Sequence, residues 1–138
     1  MRRFLTDKML AGALRLRLCN SYVSSVLLYG SETWHIEASK VRRLLSPLER
    51  QFWFVMGLPE GLKVDFFQQY VRRRLGFLGH TLRLLVERED RMSLLLPATR
   101  HFYESDLQGL SLVQAAVIAV DSDQWRSFTE YVVSMYLG

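Results

Sequence analysis

One cysteine, three prolines and three histidines are all that 138 residues supply of the groups that staple, break or metallate a small domain. Cys19 has no second thiol to pair with, so an internal disulfide is excluded and a reducing compartment is the simpler expectation. Its neighbours Leu16, Leu18, Tyr22 and Val23 mark it as a core position. His35, His80 and His101 stand far apart, with neither a second cysteine nor a carboxylate at ligand spacing, so no zinc site is expected. Long apolar runs are missing too: Val23–Tyr29 and Leu110–Val120 fall short of the roughly 20 residues that cross a bilayer. Nor is there a phosphate-binding glycine loop, a nucleophile elbow, an HExxH pair, an internal repeat or a low-complexity tract. Asp121 and Asp123 precede an apolar helical stripe, where carboxylates cap a helix, and Glu87, Glu89 and Asp90 mix with Arg88 and Arg91 as on a solvated helix end. No cofactor is expected, and catalysis by this chain alone has no visible basis.

What is present is a core and an uneven charge. Hydrophobic residues make up 49% and aromatics 12%, enough for a folded domain. Residues 1–92 carry 16 Lys/Arg against 9 Asp/Glu, while 93–138 carry 2 against 5. This suggests a basic helical domain over 1–92 with an acidic helical extension over 93–138 packed on the same core, and it directs the question of nucleic acid to the first part. A soluble intracellular protein, nuclear or cytoplasmic, is expected. Arg2-Arg3 raises a mitochondrial presequence as the lesser alternative, which the early Asp7 opposes.

Breaks near Gly30-Ser31, Gly57–Gly61, Pro97 and Asp121–Asp123 separate blocks of helical periodicity, with no convincing strand alternation between them. The expected fold is all-α, about four to five helices. Thr6 would cap a first long helix whose stripe is Leu5, Met9, Leu16, Cys19, Val23 and Val26/Leu27, with Leu10, Leu14, Leu18 and Leu28 as a second apolar side. In the second block Ser39 is a candidate cap and Val41, Leu44, Leu45, Leu48, Phe52, Val55 and Met56 share one stripe, with Pro47 expected to kink or split the helix. Phe67, Val71, Leu75, Leu78, Leu82 and Leu85 define a third. Leu110, Val113, Val117 and Val120 suggest a short buried helix, and Trp125, Phe128, Val132 and Met135/Tyr136 a last one capped near Asp121 or Ser122.

Two faces could carry a function. On the third helix, Arg72, Gly76, Gly79, His80 and Arg83 fall opposite the leucine stripe, with Arg73 at its border. A glycine inside a helix costs roughly 0.5–1 kcal/mol, so two on a basic face invite close approach of another backbone, either a phosphate-sugar strand or a second protein helix. On the second helix, Arg43 and Arg50 are seven apart with Phe54 beside them, and Arg42 and Trp53 lie on a neighbouring strip. Interleaved arginines and aromatics can hold phosphates and stack on bases, but they also describe a charged exterior with one aromatic docked on a neighbouring domain.

Leu14-Arg15-Leu16-Arg17, Tyr22-Val23 and then Leu27-Leu28-Tyr29-Gly30-Ser31-Glu32-Thr33-Trp34 resemble a signature that follows the catalytic palm in reverse transcriptases of RTE-type non-LTR retrotransposons. Arg43-Leu44 with Leu48-Glu49-Arg50 resembles the helix after it. Arg73-Arg74-Leu75-Gly76-Phe77-Leu78-Gly79-His80-Thr81-Leu82-Arg83 is similar to a later element of the same proteins, and Asp123-Gln124-Trp125-Arg126 to a last one. The likeness covers residues 5–92 best. Phe52-Trp53 stands where the family has a Leu-Arg pair, the connector before Val71 is short, and the paired palm aspartates that bind catalytic metal ions have no counterpart in the 138 residues.

The resemblance implies a helical, thumb-like region that grips a template–primer duplex, RNA–DNA or DNA, by its backbone without catalysing polymerisation. Arg43, Arg50, Arg72, Arg73, His80 and Arg83 would be the contacts. Tyr29, Gly30, Ser31, Glu32 and Trp34 would form a structural corner, with Gly30 left-handed, Ser31 capping the segment after it, and Tyr29 and Trp34 pinning the bend. A first helix apolar on two sides would have packed on the palm. The alternative function is an adaptor subunit that uses this face to dock into a larger protein assembly, a partner taking the palm's place.

Overall fold

The computed structural model describes Thr6, residues 9–31, Trp34, 38–87, 107–108 and 110–137. Leu5, Glu32, His35, Arg88, Glu89, Asp90, Arg91, Pro97 and His101, and the side chains of Leu85 and Glu87, lie outside the described residues. The fold is all-α, with five helices and no strand among the described residues. Helix α1 comprises three consecutive stretches, Gly12–Leu18, a π-helical turn Cys19–Val23, and Ser24–Leu27; α2 is Ala38–Met56, α3 Phe66–Glu87, α4 Leu112–Ala119 and α5 Ser122–Leu137. The chain falls into two compact units, one of Met1–Ser31 with Ala38–Tyr70, the other of Glu32–Glu37 with Val71–Gly138.

In the first unit, α1 starts at Gly12 after an extended Ala11, and Gly12 lies against Leu58, Pro59 and Leu62; Thr6, expected as the cap of this helix, is itself helical. The π turn coincides with a cluster of serines. Ser21, Ser24 and Ser25 each donate a side-chain hydrogen bond to the carbonyl four residues back, on Arg17, Asn20 and Ser21. Such back-bonding competes for ladder acceptors and loosens a helix. Its consequence is a change of phase: the buried positions are Arg15, Cys19, Ser24 and Leu28, with a step of five across the π turn where regular spacing requires three or four. The stripe expected from uniform periodicity is therefore lost beyond the π turn, where Val26 is exposed, and Met9, which precedes α1, is exposed as well.

Arg15 is buried, and its guanidinium donates to the Met56 carbonyl at the C-terminus of α2. That end closes in a Schellman motif: Gly57, at φ 60°, bonds to Phe54 O at 3.1 Å, and Leu58 N to Trp53 O at 3.3 Å. Helix α2 runs unsplit through Pro47, which is exposed, so the carbonyl it leaves unpaired can be hydrated. Ser39 lies inside this helix, not at its cap. Ala38, Val41, Leu45 and Met56 are its buried residues, whereas Leu44 and Val55, expected in the stripe, are exposed at the margins. Phe52 meets Phe66 edge-on, ring centroids 5.4 Å apart. Glu49 accepts a 2.9 Å hydrogen bond from Phe67 N in the first turn of α3.

In the second unit, the leucine stripe of α3 is buried as expected at Val71, Leu75, Leu78 and Leu82. Helix α4 opens in a capping box between Ser111 and Gln114. Its buried residues are Ala115, Ala116 and Ala119, while Val113, Val117 and Val120 are exposed, Val117 at 70%. The expected valine stripe faces outward, and the interior is taken by small alanines, which let helices pack closely. Helix α5 is capped by Asp121, whose Oδ1 accepts from Asp123 N at 2.9 Å and Gln124 N at 3.4 Å, as the sequence implied. Trp125, Val132 and Val133 are buried, but Met135 is exposed.

Candidate nucleic-acid interface

Helix α2 sorts its side chains by periodicity. At about 100° per residue, Lys40, Arg43, Pro47, Arg50 and Phe54 fall within an arc of about 80°, opposite Ala38, Val41, Leu45 and Met56. All five are exposed, Phe54 at 80%. The three cations make no ion pair or hydrogen bond among the described residues, so their donors are free to meet phosphate oxygens. Arg42 leaves this row, its guanidinium 5.8 Å from the Phe67 ring centroid. The first unit holds ten Lys/Arg against four Asp/Glu, the second eight against ten, so the basic charge of the chain resides in the first.

Beside this row, Glu49, Arg50 and Trp53 of α2 and Glu60, Lys63 and Val64 of the connector to α3 line a cleft of about 320 Å³. Burial, together with the charge of Asp65, holds the Glu49 carboxyl above the ordinary carboxylate range, against the opposing pull of the Phe67 N–H and Arg42. Trp53, not the fully outward Phe54, is the aromatic that Arg50 shares a cleft with. Lys40 could have been found from its spacing to Arg43. Glu60 and Lys63 could not, since a connector has no periodicity to place them.

The α3 residues are differently employed. Arg72 forms a two-pronged pair with Glu130, Nε to Oε1 at 2.9 Å and Nη2 to Oε2 at 3.2 Å, and this contact holds the Glu130 carboxyl below its usual range. Arg83 donates to Ala119 O at 3.2 Å, a carbonyl in the last turn of α4. Arg74, which periodicity did not single out, is buried and donates to Trp34 O at 2.8 Å. Arg73 is half-buried and has an interaction of its own, and His80 is exposed. Arg43 and Arg50 thus belong to the first unit and Arg72, Arg73, His80 and Arg83 to the second.

The two glycines separate as well. A Cβ on Gly76 would meet open space, while one on Gly79 would collide with the Trp125 indole at Nε1. That indole donates to Leu75 O at 2.7 Å, so Gly79 is the gap through which it reaches the α3 backbone. Close approach at Gly79 is by a protein helix. It also joins Leu78-Gly79-His80 and Asp123-Gln124-Trp125-Arg126, far apart in sequence, in one packing unit.

The corner after α1 has Gly30 at φ 70°, the left-handed residue expected. Ser31 is fully buried with its hydroxyl unpartnered among the described residues, so it does not act as the expected cap, and Tyr29 is 84% exposed and pins nothing. Trp34 enters through its backbone carbonyl on Arg74. The Cys19 thiol is pushed up to about 11 by burial and by the charge of Asp65, which keeps it protonated at neutral pH. Among the described residues no cluster of His, Cys, Asp or Glu could hold a metal ion, and no helix is long and apolar enough to cross a membrane. Comparison with protein-family models, with curated proteins and with solved structures gave no match to this chain.

Proposed function

We propose that this protein is a non-catalytic nucleic-acid-binding module, akin to the thumb-like region of a retroelement reverse transcriptase, that holds a duplex by its phosphate backbone through α2. The observation that carries the reading is the exposed row Lys40, Arg43 and Arg50, unpaired among the described residues, in the unit that holds the chain's excess of positive charge. Fixed cations without base-edge partners give affinity that is steep in salt and nearly blind to sequence. Arg72 and Arg83 are the weaker contacts, because recruiting them to phosphate would cost the Glu130 pair and the Ala119 bond.

The test is a titration of a labelled RNA–DNA duplex at several salt concentrations. Each phosphate contact contributes about one unit to the slope of log affinity against log salt, so Arg43→Ala with Arg50→Ala should flatten it by about two. Arg72→Ala with Arg83→Ala should leave it nearly unchanged. Absence of binding at low salt, or equal slopes for wild type and the α2 variant, sinks the reading.

A second reading, the adaptor, is favoured by one observation: Tyr22 and Val26 of α1 and Tyr29 just past its end are all exposed, Val26 at 80%. Exposed apolar residues close together in the chain suit a protein partner. It predicts a stable oligomer or a co-purifying protein, and a clean monomer by light scattering counts against it.

A further inference from the structure

We propose that the cleft between α2 and the 57–65 connector receives one unpaired nucleotide, guanine by preference: its base stacks on Trp53, its edge meets the Glu49 and Glu60 carboxylates, and its phosphate lies between Arg50 and Lys63. The inference rests on the nucleic-acid reading and adds to it a site for a single-stranded residue, where that reading concerns only duplex backbone.

Four observations carry it. The volume, about 320 Å³, is at the small end of ligand pockets and suits one nucleotide, not a strand segment. The lining holds two carboxylates and two cations, yet none of Glu49, Arg50, Glu60 and Lys63 pairs with another, so both signs stay open to a ligand. Two carboxylates would repel a phosphodiester chain lying along the cleft, so whatever faces them must bring hydrogen-bond donors while also bringing an anion for Arg50 and Lys63. A nucleotide joins both requirements in one molecule. Among the bases, guanine presents two adjacent donors, N1–H and the 2-amino group, which match the two oxygens of one carboxylate.

Glu49 sharpens the geometry. One of its oxygens is fixed by Phe67 N at 2.9 Å, which sets the orientation of the carboxylate while the second oxygen makes no hydrogen bond to a described residue. Trp53 is half-buried and lines the cleft together with Val64, and a partly buried aromatic ring offers a flat stacking face at little entropic cost. Phe54, one residue on and almost wholly exposed, has no such walls.

The experiment measures fluorescence anisotropy with three short RNA–DNA duplexes, one blunt, one with a three-nucleotide single-stranded extension of guanosine and one with uridine. The guanosine extension should bind about 10-fold tighter than the blunt duplex, within the range that stacking of a base on an aromatic side chain provides. Trp53→Ala should remove this increment and leave the blunt affinity unchanged. Trp53→Phe, which keeps an aromatic ring and guards against a folding artefact, should retain it to within about threefold. Glu60→Gln should bring guanosine and uridine extensions to within about twofold of each other. Equal affinity of extended and blunt duplexes in the wild type, or a Trp53→Ala loss shared equally by both, overturns the cleft proposal while the duplex reading stands. Failure of every duplex to bind at low salt overturns both.

Discussion

The two compact units use their arginines in opposite ways. In the first, Arg15 is engaged at the end of α2 and Arg42 over the Phe67 ring, while Lys40, Arg43 and Arg50 remain exposed and unpaired on the α2 face turned away from the core. In the second, Arg72, Arg74 and Arg83 are each tied to a partner, Glu130, Trp34 O and Ala119 O, and the excess charge is acidic. The same residue type is an anchor in one region and a free cation in the other. What distinguishes them is whether a carboxylate or a backbone carbonyl outside a helix's own ladder lies within reach, as at a helix end, which leaves four carbonyls without intrahelical partners.

The sharpest way to break this comparison is at Gly79. Gly79→Ala should destabilise the protein by about 3 kcal/mol in chemical denaturation, since the new methyl displaces Trp125 and strands the Leu75 bond. Gly76→Ala, in open space on the same helix, should instead stabilise by about 0.5–1 kcal/mol through helix propensity. If both changes have one sign, the assignment of Gly79 as the Trp125 gap fails. Arg15→Met comes next: it keeps the aliphatic stem of the side chain but leaves the Met56 carbonyl bare, with an expected loss of about 2 kcal/mol. An unchanged denaturation midpoint would show that the buried guanidinium contributes nothing net.

The pair in the second unit should matter least. Arg72–Glu130 is partly exposed at both ends, and Glu130→Gln is expected to cost roughly 0.5 kcal/mol at neutral pH. Because the Glu130 carboxyl is held low, its contribution is present above the ordinary carboxylate range and lost as pH falls through its lowered folded value. Glu49 has the opposite sign. Its carboxyl is raised by burial, so the folded state holds the proton more tightly than the unfolded chain does. Stability on its account is fully present below the unfolded pKa and declines as pH rises through the raised folded value. Glu49→Gln should therefore raise the melting temperature slightly at pH 7 and leave it nearly unchanged at about pH 3.5, the Phe67 bond being kept by the amide oxygen. A lower melting temperature at pH 7 would show that the charge at the start of α3 outweighs its burial.

Much of this was legible from the residues alone. The helical class, the burial of Cys19, the left-handed Gly30, the Asp121 cap and the α3 leucine stripe all follow from local chemistry and an unbroken period of 3.6. So does the row of α2 cations, since Arg43, Arg50 and Phe54 must share a face of any helix that contains them. The misplaced features have physical causes that no period carries. In α1 the π turn at Cys19–Val23, among serines that bond to carbonyls four residues back, shifts the phase by one residue. In α4, alanines won the interior from valines because a close helix contact favours small side chains over large ones.

Which cations stay free was decided by tertiary structure. Arg72 and Arg83 read as functional until Glu130 and Ala119, 58 and 36 residues away, are brought to them. The cleft of Glu49, Arg50, Trp53, Glu60, Lys63 and Val64 likewise exists only because a connector without periodicity folds against α2. Sequence settles which face a side chain occupies on its own helix. Its partner across that face is set by packing, since contact depends on chain segments whose separation along the sequence carries no signal.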